Sequence, residues 1–178
     1  MRIELCNMLR DPETLAQALG ARLVDTSDTF GEATRINGIA TDSREVEQGD
    51  LFVALRGERK DGVAYLSDAL SRGAVGVLTS KALPIPQEHF LHFTADDPIT
   101  ALLRAAAWRR QKSNAFVVAV GGSTGKTTAK EALSVLLGEA GTVAHTVGNY
   151  NSTIGLPLQA LFGKTEHLDF STVLIYNN

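Results

Sequence analysis

The sequence predicts an α/β protein in two parts, the second with a mostly parallel sheet, and three observations carry that expectation. Short apolar runs of strand length, at 51–55, 74–78 and 116–120, alternate with segments whose apolar residues fall at helical spacing. Glycines and Asp-Pro pairs stand at the joints between them. The length of 178 residues suits one generous domain or two small ones.

Taken in order, Asp11-Pro12 offers an N-cap and a first-turn proline, Leu15, Ala18 and Leu19 follow at helical spacing, and Gly20 stops the helix. A polar stretch runs on through Thr34. Residues 51–55, bounded by Gly49-Asp50 and Gly57, read as a buried strand. Val63, Leu66, Ala69 and Leu70 share one face of a helix over 63–72, Gly73 is its C-cap, and 74–78 return to a strand pattern. A further strand is expected over 89–94. Asp97-Pro98 then caps a helix carrying Ile99, Leu102, Leu103 and Ala106 at i, i+3, i+4 and i+7. Its basic end, Arg109, Arg110 and Lys112, suits the negative end of the helix dipole, so these side chains read as helix-end stabilisation with their charges solvated. The pattern restarts after Ser113-Asn114, which puts a domain boundary near 112–115 and divides the chain into 1–112 and 113–178.

Composition narrows the functional classes. With 44% hydrophobic and 21% charged residues the chain lies outside the range of disordered proteins. A net charge of -3 gives no basic field for phosphate neutralisation, so no nucleic-acid partner is expected. Cys6 is the single cysteine, which excludes an intrachain disulfide and paired-cysteine zinc sites and fits a reducing compartment. Arg2, Glu4 and Arg10 break the amino terminus where a signal peptide would be apolar, and no run approaches the ~18 apolar residues that span a bilayer. A cytoplasmic protein without membrane insertion is the expectation.

The chemistry concentrates in Gly121-Gly122-Ser123-Thr124-Gly125-Lys126-Thr127-Thr128, which follows an apolar strand and precedes a helix with Leu133, Leu136 and Leu137 on one face. Glycines let backbone N–H groups wrap phosphate oxygens, and the helix N-terminus adds partial positive charge. Lys126 would reach the terminal phosphates and Thr127 would place its hydroxyl on Mg²⁺. The strict pattern G-x-x-x-x-G-K-[ST] asks for glycine at 120, where this chain has Val120; what stands is the shorter G-x-x-G-K-T-T from Gly122. The plainer alternative is a glycine-rich turn capping a helix with an exposed lysine. The strand before and the helix after favour nucleotide phosphates.

This short loop with its doubled threonine resembles that of the Mur ligase family, bacterial enzymes that extend the UDP-linked peptidoglycan precursor. Thr41-Asp42-Ser43-Arg44, residues 49–55, Arg56-Gly57 and Asp61-Gly62 are similar to the family's amino-terminal UDP-sugar-binding domain. Lys130-Glu131, Gly148-Asn149-Tyr150-Asn151-Ser152 and Ile154-Gly155-Leu156-Pro157-Leu158 are similar to the branch that adds D-alanyl-D-alanine. The branch that adds the third residue is the enzyme alternative, and a non-catalytic nucleotide- or UDP-sugar-binding fragment the alternative from another class.

The resemblance implies a small amino-terminal α/β UDP-MurNAc-binding domain over 1–112, followed by the start of a P-loop-type central ATPase domain over 113–178. It implies an ATP- and Mg²⁺-dependent ligase, monomeric, that joins D-alanyl-D-alanine to UDP-MurNAc-tripeptide through an acyl phosphate in cell-wall synthesis. Lys126 would be catalytic; Gly122, Ser123, Thr124, Gly125, Lys126, Thr127, Thr128 and Asn149 would hold ATP; Ser43, Arg44, Asn149 and Asn151 would hold the precursor; Thr127 would bind the metal. Plainer readings stand beside these. Asp42 caps a turn and Arg44 is solvated, Gly57 and Gly62 either admit a ligand or supply turns, and Asn149 and Asn151 cap the next helix. Ile175 stands where the family places a metal-binding acid, and the chain ends before the family's later elements, so these residues alone are expected not to catalyse ligation. Cys6 reads as packed, His89, His92, His145 and His167 as structural or exposed, and Trp108 as a packing residue.

Overall fold

The computed structural model describes residues 1–24, 35–57, 61–84, 90–113, 115–139, 141, 143–145 and 173–177. The chain divides into two units, Met1–Ala105 and Ala106–Asn178.

Among its described residues the first unit is built on a six-stranded sheet in the order β1-β3-β4-β5-β6-β2. Its strands are β1 (Arg2–Glu4), β2 (Arg22–Val24), β3 (Gly38–Ala40), β4 (Leu51–Val53), β5 (Gly76–Thr79) and β6 (Leu91–Thr94). The inner strands β3 to β6 are parallel, whereas β1 on β3 and β2 on β6 are antiparallel edges. Every residue of β3, β4 and β5 is buried, as a parallel sheet covered on both faces requires. The register sets Ala40 beside Phe52 and Phe52 beside Val77. That row joins Val46, Ala54, Ala69, Ala74 and Phe90 in one core, against which Val63, Leu66 and Leu70 pack. Leu51, Val53 and Leu78 alternate to the other face and are fully buried there.

Three helices follow the sequence signals closely. Helix α1 (Pro12–Leu19) starts at Asp11, whose carboxylate accepts from the Thr14 amide at 2.8 Å, and ends at Gly20 with φ 60°. The helix expected over 63–72 begins instead as a 3-10 turn, Gly62–Tyr65, and becomes α2 only at Leu66–Ser71; Gly73, with φ 97°, closes it. Asp97 accepts from Thr100 N at 2.9 Å and opens α3 (Pro98–Gln111). At the far end of α3, Arg110 donates to the Ser113 carbonyl at 2.9 Å and Lys112 lies 5.4 Å from the Trp108 ring centroid. Arg109 corrects the sequence reading, because it is buried, at 3% exposure, rather than solvated. Cys6 is buried, as expected.

Among its described residues the second unit forms a parallel sheet of three strands, β7 (Phe116–Val120), β8 (Val143–His145) and β9 (Val173–Asn177), with β9 in the middle. Helix α4 (Lys126–Gly138) follows β7 through the glycine-rich loop. Phe116, Val135 and Leu136 are exposed. Ile175 lies within β9, opposite Val118 of β7 and His145 of β8. No helix among the described residues is long and apolar enough to cross a membrane.

Candidate functional site

The glycine-rich loop has the strand, loop, helix context that its sequence predicted. Val120 is the last residue of β7 and pairs with Asn177, so the position that a longer loop would give to glycine is here still strand. The turn starts one residue later. Gly122 has φ 151° and Gly125 φ 74°, values that side chains disfavour, and Gly125 is the N-cap of α4. A Cβ at Gly125 would meet no atom within 4 Å, and at Gly122 nothing nearer than the Thr124 carbonyl oxygen at 3.6 Å. These glycines are thus demanded by backbone angle while the space over them stays open. The Lys126 ammonium folds back and donates to the Gly122 carbonyl at 2.5 Å, arching across the hollow of the loop. Ser123, Thr124, Thr127 and Thr128 are exposed along the same turn, and Lys130 one turn on is buried.

Chemically, such a turn can hold a phosphate chain. Amides at the start of the 13-residue α4 carry the positive end of its dipole, and Lys126 adds a full charge. Thr127, the second residue of α4, is exposed at the same end of the helix. Among the described residues no group of three or more His, Cys, Asp or Glu could hold a metal by itself. Asn149 and Asn151 lie outside the described residues.

The first unit carries a cleft of about 620 Å³ at the carboxyl ends of β3 and β4, lined by Thr41, Asp42, Ser43, Arg44, Phe52 and Tyr65 among others. Its polar wall is the 3-10 turn Ser43–Glu45. Asp42 caps that turn by accepting from the Arg44 amide at 3.0 Å, and grips the same residue's guanidinium at 2.9 Å (Nε) and 2.6 Å (Nη2). These bonds hold the Asp42 carboxyl far below the usual carboxylate range and push Arg44 further up. The expected turn-capping role of Asp42 is therefore present, and the Arg44 side chain, 79% exposed, is a cation fixed at the cleft wall. Ser43 is its opposite, 5% exposed, and Asp68 of α2 lines the same cleft.

Two features escaped the sequence reading. Asp68 and Tyr65 come from the 3-10 turn and helix across the cleft, and no motif marks them. Gly62 has a packing duty, because a Cβ there would sit 2.6 Å from the Leu55 carbonyl oxygen and 2.7 Å from its nitrogen. The amide of Gly62 donates to that carbonyl at 2.9 Å, so the glycine admits its own chain more than a ligand. His92 is structural, as expected: it is 1% exposed and 2.7 Å from the Thr79 hydroxyl.

Comparison with known proteins agrees with this arrangement. Residues 35–116 match the model described as Mur ligase family, catalytic domain, and residues 120–172 match the Mur ligase middle domain. The curated UDP-N-acetylmuramoyl-tripeptide--D-alanyl-D-alanine ligase of Synechocystis sp. is 40% identical over 144 residues, which is 81% of this chain and 32% of the relative. That of Bacillus subtilis is 42% identical over 130 residues, 73% of this chain and 28% of the relative. The chain spans about a third of the length of these curated relatives. Among solved structures, a MurF from Acinetobacter baumannii superposes with TM-score 0.78 at 29% identity, covering 99% of this chain and 36% of that one. The MurF ligase of Thermotoga maritima in complex with ADP gives 0.64 at 32% identity, covering 78% and 31%. With two successive domain models of one family matched in sequence order over the two units, the chain belongs to the Mur ligase family.

Proposed function

We propose that this chain supplies the UDP-MurNAc-binding domain (1–112) and the first part of the central ATP-binding domain (113–178) of an ATP-dependent ligase. That enzyme joins D-alanyl-D-alanine to UDP-MurNAc-tripeptide in the cytoplasm and acts as a monomer. The observation that carries the reading is the open turn at Gly122–Gly125, with Lys126 arched over it at the head of α4. ATP is a substrate, activating the precursor carboxylate as an acyl phosphate that the dipeptide amine then captures. Mg²⁺ supplies charge neutralisation on the phosphates.

The protein's part in such a transfer is positioning and electrostatics. Amides of Gly122, Ser123, Thr124 and Gly125 cradle phosphate oxygens. Lys126 exchanges the Gly122 carbonyl for phosphate, and Thr127 and Thr128 bring hydroxyls to the metal and the phosphates. In the first unit, Ser43 and Arg44 hold the uridine diphosphate portion, with Arg44 kept in place by Asp42. Asn149 and Asn151 are proposed to contact nucleotide and precursor.

Calorimetric titration with ADP and Mg²⁺ tests the loop. Lys126→Met removes a charge-assisted bond and is expected to weaken binding roughly tenfold to a hundredfold. Equal affinity in the two proteins would remove Lys126 from the site.

A further inference from the structure

Arg44 lines the cleft with a side chain that is 79% exposed, yet both ends of that side chain are fixed. At the backbone, the Arg44 amide donates to Asp42 Oδ1 at 3.0 Å, and the Arg44 carbonyl accepts from Nη1 of Arg72, the residue that caps α2, at 3.5 Å. At the head group, Nε donates to Asp42 Oδ1 at 2.9 Å and Nη2 to Asp42 Oδ2 at 2.6 Å. One carboxylate thus holds the amide and the side edge of the guanidinium of the same residue. The guanidinium is a rigid, planar fork of donors, and this grip does not use its end edge, formed by Nη1 and the second N–H of Nη2. An exposed arginine that nothing restrains samples many rotamers, and a ligand that stops it loses affinity in doing so. Here the restraint is in place before any ligand arrives.

We propose that Asp42 is a positioning residue that holds Arg44 side-on, so that the end edge of the guanidinium is presented in advance to two oxygens of a ligand's diphosphate. This rests on the proposed uridine-diphosphate site and assigns within it a residue that acts on the ligand only through Arg44. Asp42 itself is ionised and offers an anion no donor, so it has no direct attraction for the ligand. The end edge, by contrast, matches an anion that places two oxygens in one plane, and two parallel charge-assisted bonds form there. The turn-capping bond and the guanidinium grip come from the same carboxylate, which makes them separable by substitutions that preserve one and remove the other.

The experiment is calorimetric titration of the 178-residue chain with UDP, for the wild type, Asp42→Asn, Asp42→Ser, Arg44→Ala and the Asp42→Asn, Arg44→Ala pair, with thermal melts confirming that each variant is folded. Asn and Ser cap a turn about as well as Asp, but neither offers two charged oxygens, so both variants keep the turn and release the guanidinium. Each is expected to weaken UDP roughly threefold to tenfold, the cost of immobilising one long side chain on binding. Arg44→Ala should weaken UDP roughly tenfold or more, and adding Asp42→Asn to it should weaken binding no further. An Asp42→Asn loss of the same size with and without Arg44 would reduce Asp42 to a structural role and overturn the proposal. Binding by Asp42→Asn as tight as the wild type, or tighter, would overturn it as well, by making Asp42 a competitor for Arg44. Failure of the wild type to bind UDP at all would instead overturn the uridine-diphosphate site, and this assignment with it.

Discussion

Replacing Asp50 by alanine is expected to destabilise the unit Met1–Ala105 by about 3 kcal/mol. Asp50 has no exposed surface and accepts three bonds: Arg2 Nε at 2.6 Å, Arg2 Nη2 at 3.1 Å and the Glu47 amide at 2.9 Å. It sits so close to β3 that a Cβ on Gly38 would lie 2.6 Å from its carboxylate. One side chain therefore joins edge strand β1, strand β3 and the loop that leads into β4, whose Phe52 lines the cleft. Removing one partner of a buried ion pair typically costs about 3–5 kcal/mol. The low end applies here, because the Arg2 side chain is 23% exposed and keeps Glu47 Oε2 at 3.1 Å, so water and a second carboxylate recover part of the loss. The Glu47 amide loses its acceptor as well, which accounts for about 1 kcal/mol of that total. Urea unfolding followed by far-UV circular dichroism reads the change, and a melt should fall by more than about 10 °C for a unit of this size. Arg2→Ala alone and the Arg2→Ala, Asp50→Ala pair complete a cycle with an expected coupling of roughly 1.5–3 kcal/mol. A loss below about 1 kcal/mol in Asp50→Ala, or strict additivity in the pair, would refute the assignment of Asp50 as the tie between these strands.

Two glycine substitutions should separate crowding from backbone strain. Gly62→Ala puts a methyl against the Leu55 backbone and should cost about 1–3 kcal/mol in urea unfolding, together with a weaker UDP interaction, and an unchanged midpoint would contradict the packing role. Gly125→Ala meets no atom within 4 Å and should cost only about 1–2 kcal/mol through its φ of 74°, so a larger effect would mean that the loop is closed by contacts not seen here. His92 gives a pH prediction. Burial lowers its pKa from 6.5, so the neutral ring's stabilisation is complete above that value and is lost as pH falls from there through the folded value. Stability should decline as pH falls below about 6.5, by at most ~1.4 kcal/mol per unit, and His92→Gln should flatten the decline; an unchanged slope would assign it to other groups.

The helices and the phosphate loop were legible in the sequence because their causes are local. Asp11, Asp97 and Gly20 cap from within a turn of the residues they serve, and the Gly122 to Lys126 spacing fits only a tight turn between strand and helix. Strands β1, β2, β3 and β8 went unread, since three residues carry no measurable period and their partners are distant: Ile3 pairs with Ile39, and Leu23 with Phe93. Only the tertiary structure decided the cleft's chemistry. It buried Ser43 at the cleft wall, spent part of Arg44 on Asp42, and turned Gly62 toward its own backbone. Arg109 makes the same point, because whether a helix-end cation meets water or protein depends on what packs beside it, and chain folding alone supplies that neighbour.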